Sequence, residues 1–238
     1  MKLDLLAIAA HPDDVELTCG GTMIKMAECG YTVGIMDLTR GEMGTRGSAR
    51  TRLREAAAAA RILGVDHREN LGIRDAHIEV SSRNKYRIAR RIRALRPHTV
   101  ILPYWEGRHP DHYNAAILAY EGCFLAGLKR LPIPGEAFRP FKILYSTVYT
   151  DVRPTFVVDI SKQFERRRRA ILCYASQFLP KRRDKKPKVH LPLDQLEEET
   201  ALVARKYGQL IGVRYAEPFL VREVMQVDDV VQMPVRSI

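Results

Sequence analysis

Leu3-Asp4-Leu5-Leu6-Ala7-Ile8-Ala9-Ala10-His11-Pro12-Asp13-Asp14-Val15-Glu16 is the stretch on which the reading of the fold turns. The run from Leu3 to Ala9 has the length and apolar content of a strand buried on both faces. At its end the chemistry changes at once to a histidine, a proline and two adjacent carboxylates. Neighbouring anions repel each other, so a compensating cation is implied close by.

A similar layout returns about one hundred residues later. Thr99-Val100-Ile101-Leu102-Pro103 is another buried run, and Arg108-His109-Pro110-Asp111-His112 follows it. Between the two lie a strand over Thr32–Leu38, a weaker one around Glu69–Leu71, and helical patterns at about Thr22–Cys29, Arg50–Leu63 and Ser82–Leu95. The second of these helices is closed by Gly64 and the third stops before Pro97. A further helix is expected over Asp111–Leu128, then strands over Lys142–Tyr149 and Thr155–Ile160 and helices over Lys162–Tyr174 and Asp194–Ile211. Pro180, Pro187 and Pro192 mark a loop between the last two helices. This β-α-β-α rhythm predicts a Rossmann-like α/β fold, a mostly parallel sheet with helices on both faces and a small C-terminal β/α extension. With no internal repeat and no linker-like stretch, residues 1–238 are expected to form a single domain. In such sheets ligands sit beyond the carboxyl ends of the strands, where both histidine clusters fall.

Composition narrows the class. Of 238 residues, 46% are hydrophobic and 28% charged, the balance of an ordinary globular chain. The longest apolar runs are strand-length, far short of the ~20 residues that span a bilayer, and the N-terminus carries no secretion signal. Four scattered cysteines form no C-x-x-C pair, which suits reduced thiols; a cytoplasmic location without membrane association is expected. The net charge of +11 is concentrated between Lys162 and Lys188, where eleven basic and two acidic residues fall. That segment reads as a solvated helix face and an exposed loop, with attraction of an anionic substrate as the next reading. Few aromatics interleave with it, so no nucleic-acid partner is expected.

One His-Pro after a strand is an ordinary turn, with the aspartate capping the next helix. Two such clusters in nearly matching order, each after a strand, point to a divalent metal held by imidazole and carboxylate ligands. There are more candidates than the three ligands such a site needs. The surplus suits a carboxylate that takes a proton from water and a histidine that steadies an oxyanion or protonates a leaving group. These demands describe a metal-assisted hydrolase of an amide or ester, and the residues alone leave the roles open. An iron oxygenase also uses two histidines and a carboxylate, but the parallel rhythm and the extra Asp13 and His109 count against it. His67, His77, His98 and His190 lack partners at ligand spacing and read as surface or structural. Gly20-Gly21 belongs to no G-x-G-x-x-G and reads as close chain packing.

Ala10-His11-Pro12-Asp13-Asp14-Val15-Glu16, then Cys19-Gly20-Gly21-Thr22, Arg52-Leu53-Arg54-Glu55 and His109-Pro110-Asp111-His112 together resemble the LmbE-like (PIG-L-type) zinc-dependent N-deacetylases, over essentially the whole chain. Within that family, Arg40-Gly41-Glu42-Met43-Gly44-Thr45-Arg46-Gly47, Arg108, Ala175-Ser176-Gln177-Phe178 and Tyr215-Ala216-Glu217-Pro218-Phe219 look most like the bacillithiol-biosynthesis deacetylases. The resemblance implies zinc, or iron(II) as the alternative, on His11, Asp14 and His112. It implies Asp13 as general base, His109 as acid or oxyanion partner, and Asp111 orienting or charging His109. Arg52 would meet the substrate's hydroxyl or anionic part, with Glu55 orienting Arg52, and Arg108 would face an acidic aglycone. The implied substrate is an N-acetylglucosamine conjugate, with malate as the aglycone in that subgroup; a glucosaminyl inositol or chitobiose-like compound is the alternative. A homo-oligomer built from dimers, often a hexamer, is also implied. The chain departs from the pattern at Thr18, Arg74 and Glu106.

Overall fold

In the computed structural model, which describes residues 1–147, 149–178 and 193–235, the aliphatic runs become the centre of a seven-stranded sheet. Strands β1 (Leu5–Ala9), β2 (Val33–Thr39), β3 (His67–Ile73), β4 (Thr99–Pro103) and β5 (Lys142–Ser146) pair in parallel in the order β3-β2-β1-β4-β5. β1 and β2 are buried along their whole length because helices cover both faces, which is why they read as unbroken apolar runs.

Successive side chains of a strand point to opposite faces, so β1 contributes to two cores. Leu6 and Ile8 pack with Ile88 and Ile92 of α4 (Ser82–Leu95) and Leu118 of α5 (Pro110–Ala126). Leu5, Ala7 and Ala9 pack with Met23 and Ile24 of α2 (Gly20–Glu28) and Ala59 and Leu63 of α3 (Ala49–Leu63). Helix boundaries follow from capping chemistry. Ser48 and Ser81 accept the N–H groups of Thr51 and Asn84, and Gly64 closes α3 at φ 75°.

The C-terminal part departs from the expected pattern. β6 (Phe156–Asp159) is followed by α6 (Phe164–Leu172), a single turn α7 (Ala175–Phe178) and α8 (Leu193–Gln209). A last strand, β7 (Ala216–Leu220), inserts between β5 and β6 and runs antiparallel to both. Pro218 lies inside β7, and proline argues against an interior strand because it cannot donate to a ladder. Here β5 meets β7 only at Tyr145↔Leu220 and Ser146↔Phe219, so the missing N–H falls past the end of that ladder.

The basic run is also less solvated than its composition implies. Arg166 bonds Ile62 O and Glu28, while Arg168 pairs with Glu165 and Glu197. Arg167 is buried, on the carbonyls of Glu16 and Leu17 and on Glu217. Pro180, Pro187, Pro192, His190 and the basic stretch from Lys181 lie outside the described residues. Among the described residues no helix is long and apolar enough to cross a membrane.

Candidate metal centre

β1 and β4 lie side by side where the connections of the sheet diverge, so a crevice opens beyond their carboxyl ends. Both clusters line it. After Pro12 the chain turns through Asp13, held at φ 109° and ψ −27°, a left-handed conformation in which a side chain is strained. Asp13 immediately precedes α1 (Asp14–Thr18) without using its carboxylate in a capping bond, and Asp14 is the first residue of that helix. On the other side Pro110 opens α5 and His109 is its cap. The imidazole Nδ1 of His109 accepts the Asp111 N–H at 3.2 Å, which leaves the proton of the neutral ring on Nε2.

His11, Asp14 and His112 each offer a ligand atom within 4.8 Å of one another. Asp14 Oδ2 lies 3.3 Å from His11 Nδ1, and Asp14 Oδ1 lies 3.3 Å from His112 Nε2. His11, His109 and Asp111 meet the same spacing, but that grouping is already engaged elsewhere. Asp111 accepts the Ala76 N–H at 2.8 Å and the Ile78 N–H at 3.3 Å. His11 Nε2 faces Asp75 at 3.0 Å and Asp111 at 3.4 Å, so Nδ1 is the atom it has free for a shared ligand with Asp14.

The electrostatics fit a cation. Asp13, Asp14, Asp75 and Asp111 gather round His11 and His112, with the Arg52 guanidinium as the nearby fixed positive charge. Burial opposes charge on His11, yet its bonds to Asp111, Asp14 and Asp75 raise it well above the ordinary imidazole range. Burial likewise works against the Asp14 anion, but His112 and His11 hold it well below the usual carboxylate range. The cluster therefore gathers a proton onto His11 to offset its anions. A dication on imidazole and carboxylate donors would meet the same need, and the donor set suits zinc or iron(II).

The other expected residues are placed as follows. Asp13 accepts from Arg52 Nη2 at 2.9 Å, and Arg52 also donates to the Pro12 carbonyl. Arg52 is buried, with its guanidinium 5.8 Å from the Tyr174 ring, so it touches the candidate base rather than standing open to the crevice. Glu55, expected to orient Arg52, instead accepts the backbone N–H and hydroxyl of Ser176, both at 2.7 Å. Asp111, expected to orient His109 through its carboxylate, gives His109 only its backbone N–H and turns the carboxylate to His11. Arg108 is exposed beside His109.

Two residues of the site lie outside the His/Asp clusters. Asp75, just past β3, holds His11 Nε2 and accepts the Met43 N–H at 2.8 Å; against the effect of burial, these bonds bring its carboxyl down to about 2. Tyr149, beyond β5, points its hydroxyl at Asp14 Oδ1 over 3.4 Å and stacks on His112 with ring centroids 5.2 Å apart. Residues of the 40–47, 175–178 and 215–219 stretches make contacts around these groups. Glu42 accepts the Asp75 N–H at 3.0 Å, and Gln177 donates to the Arg46 carbonyl at 2.9 Å. Glu217 accepts the Gly21 and Thr22 N–H groups at the start of α2. Close packing at Gly21 is direct, since an added Cβ would stand 2.8 Å from Ile160.

Fold and site together place a His/Asp cluster with metal-ligand spacing at the switch point of a parallel sheet, the layout of an α/β enzyme. The sequence matches the family described as PIG-L: GlcNAc-PI de-N-acetylase over residues 6–122. It is 33% identical over 229 residues to the diacetylchitobiose deacetylase of Thermococcus kodakarensis, covering 90% of this chain and 80% of that one. The structure is similar to that of the conserved protein TT1542 from Thermus thermophilus, with a TM-score of 0.86 and 39% identity across 95% of this chain and 98% of that one. It also shares its fold with GalB, the 4-carboxy-2-hydroxymuconate hydratase of Pseudomonas putida, at a TM-score of 0.79 and 22% identity over 96% and 99% of the two chains. The chain belongs to the PIG-L (LmbE-like) family of de-N-acetylases. Because the same fold also carries a hydratase, the chemistry has to be argued from the site.

Proposed function

We propose that the chain is a zinc-dependent N-deacetylase, acting in the cytoplasm, that cleaves the acetamide of an N-acetylglucosamine conjugate, with N-acetylglucosaminyl malate as its substrate. The observation that carries this reading is a separate, partly exposed carboxylate, Asp13, directly beside the His11–Asp14–His112 donor set. The four free cysteines support a reducing compartment.

Zinc held there would supply Lewis acidity, polarising an acyl oxygen and making water more acidic. The chain's own groups do the rest. Burial raises the Asp13 carboxyl to about 7, with Arg52 opposing the rise and Asp14 adding to it, which places it in the working range of a general base near neutrality. Asp13 takes a proton from the attacking water as the water oxygen bonds to the acyl carbon. The π electrons move onto the acyl oxygen, and the Nε2–H of His109 donates to that oxyanion. When the C–N bond breaks, the proton on Asp13 passes to the departing nitrogen, and the acetic acid released gives its remaining proton to the amine, leaving acetate and an ammonium product. His109 acts in this scheme as a hydrogen-bond donor. Burial, with His11 and His112, lowers its pKa, so the ring is neutral at pH 7.

The malate assignment is supported by the resemblance of the 40–47 loop, Arg108 and residues 175–178 to one subgroup of the family. The identity to the T. kodakarensis enzyme favours a second reading, diacetylchitobiose. The test is amine release by purified protein, chelated and then zinc-restored, from N-acetylglucosaminyl malate, N-acetylglucosaminyl inositol and diacetylchitobiose. Zinc-restorable release that is fastest on the malate conjugate is expected. Faster release from diacetylchitobiose would replace malate, and silence on all three would overturn the deacetylase reading. Asp13→Asn, which tolerates the left-handed backbone, should keep zinc and lose about 10²–10⁴ in turnover.

A further inference from the structure

Among the described residues, Tyr149 is the exposed aromatic that touches proposed metal ligands. Part of its ring is accounted for by packing. It stacks on His112 at an interplanar angle of 29°, and His112 stacks in turn on His109 with centroids 4.8 Å apart. More than half of the residue is nonetheless open, at 53% exposure.

That exposure does not come from a slack connection. Before Tyr149 the chain is fixed at Thr147, which is buried and accepts the Thr150 N–H on Oγ1 at 3.3 Å. After it, the Tyr207 hydroxyl of α8 accepts the Val152 N–H and donates to the Val152 carbonyl, each at 3.3 Å. Tyr207 is itself buried, and Lys206 of the same helix pairs with Asp151 at 2.5 Å. The ring is thus presented by a loop held on both sides, the way a rigid scaffold positions a binding residue.

The chemistry of the substrate says what would cover it. In N-acetylglucosamine the acetamide nitrogen is bonded to the sugar ring, so that ring begins two bonds from the acyl carbon. A pyranose whose acetamide reaches the His11–Asp14–His112 donor set must lie against the residues bordering that set. The axial C–H groups of a glucose-type ring make its faces apolar and weakly positive, which suits the negative face of an aromatic ring.

We propose that Tyr149 is the platform for the pyranose ring of the substrate, with the sugar stacked on its open surface and the acetamide aimed at the donor set. The proposal rests on the reading of the substrate as an N-acetylglucosamine conjugate and assigns the residue that holds the sugar. The ring carries the contact; the hydroxyl reaches Asp14 Oδ1 only at 3.4 Å.

The test uses zinc-loaded protein and two variants, Tyr149→Ala and Tyr149→Phe. On N-acetylglucosaminyl malate, N-acetylglucosaminyl inositol and diacetylchitobiose, Tyr149→Ala should raise KM about tenfold or more and change kcat less. Stacking holds the sugar equally in the ground and transition states. Tyr149→Phe restores the ring and should recover most of that loss. A second readout needs no turnover: saturation-transfer NMR with N-acetylglucosamine. In the wild-type protein the pyranose protons should be saturated strongly relative to the acetyl methyl, and in Tyr149→Ala that ratio should fall. Conjugates left intact by a protein whose ratio still depends on the ring would sink the deacetylase reading and leave the platform standing. An unchanged KM in an active Tyr149→Ala protein would overturn the platform and leave the deacetylase. So would a loss in Tyr149→Phe as large as in Tyr149→Ala, or wild-type protein that transfers no saturation to the pyranose protons.

Discussion

The backbone N–H of Asp111 donates to Nδ1 of His109 across 3.2 Å, and that bond decides which nitrogen of the ring can donate in turn. With Nδ1 occupied as an acceptor, the Nε2 proton faces outward from the helix cap. Replacing His109 by Gln is expected to lower kcat by about 10²–10³ with little change in KM, because the lost bond is one made to the oxyanion and not to the ground-state amide. Zinc content should be unchanged. Steady-state kinetics beside metal analysis checks both, and a variant within threefold of wild type would remove His109 from the oxyanion role.

Arg52 holds Asp13 at 2.9 Å and lowers its pKa against burial and Asp14, which both raise it. The base works ionised, so a higher pKa leaves less of the active form at a given pH. Arg52→Gln should therefore move the acid limb of kcat/KM to higher pH, and Arg52→Lys should move it less. A bound dication acts in the same sense as Arg52, so the wild-type limb is expected between the ordinary 3.8 and about 7. An acid limb identical in all three proteins would show that Arg52 does not tune the base.

Asp14→Asn or His112→Ala should remove tight zinc binding, since each deletes a proposed ligand. Asp75→Asn and Asp111→Asn should weaken it only about 10–100-fold, because those carboxylates touch His11 Nε2 rather than the metal-facing atom. Competition with a chromogenic chelator reads the affinities. Equal losses in Asp111→Asn and Asp14→Asn would move the ion to the His11, His109 and Asp111 grouping.

Gly21→Ala places a Cβ 2.8 Å from Ile160 Cδ1 and Cγ2 at a buried junction of α2. Overpacking of this kind costs about 1–3 kcal/mol, seen as a lower urea midpoint at constant slope. Adding Ile160→Val should return part of the loss, because the two positions share one space. A stability loss that Ile160→Val leaves untouched would point to backbone distortion instead.

How far the sequence could be read depended on whether its signals were local. β4 and α4 fall where Thr99–Pro103 and Ser82–Leu95 are expected, since a serine cap and nearby prolines mark their ends. The loop-like string before Cys19 conceals α1, and Pro218 conceals β7, whose pairing is entirely with distant residues. At the site, His11, Asp14, His109 and His112 are legible because they repeat beyond two strands. Asp75 follows Arg74, where the chain departs from the family pattern, and nothing in its spacing ties it to His11, which it reaches only through the turn after β3. Asp111 misleads because residues two apart along a helical turn point about 200° apart, so chain proximity to His109 does not aim its carboxylate there. Glu55 shares a helix face with Arg52 at three-residue spacing, but the start of α7 offers it an N–H and a hydroxyl together.

Glu217 takes the first N–H groups of α2 across a separation of 196 residues, and Arg167 reaches from α6 to the last carbonyls of α1. During synthesis at ~5–20 residues per second, the segment bearing Asp13 and Asp14 leaves the ribosome many seconds before its clamp does. The nascent chain can pair β1 with β2 and β4 early and can hold the Pro12–Asp13 turn with Arg52, yet α1 and α2 behind that turn lack their Arg167 and Glu217 partners until α6 and β7 are made. A product cut short before Glu217 would bear every residue of the candidate centre yet lack the carboxylate that fixes the start of α2 behind it.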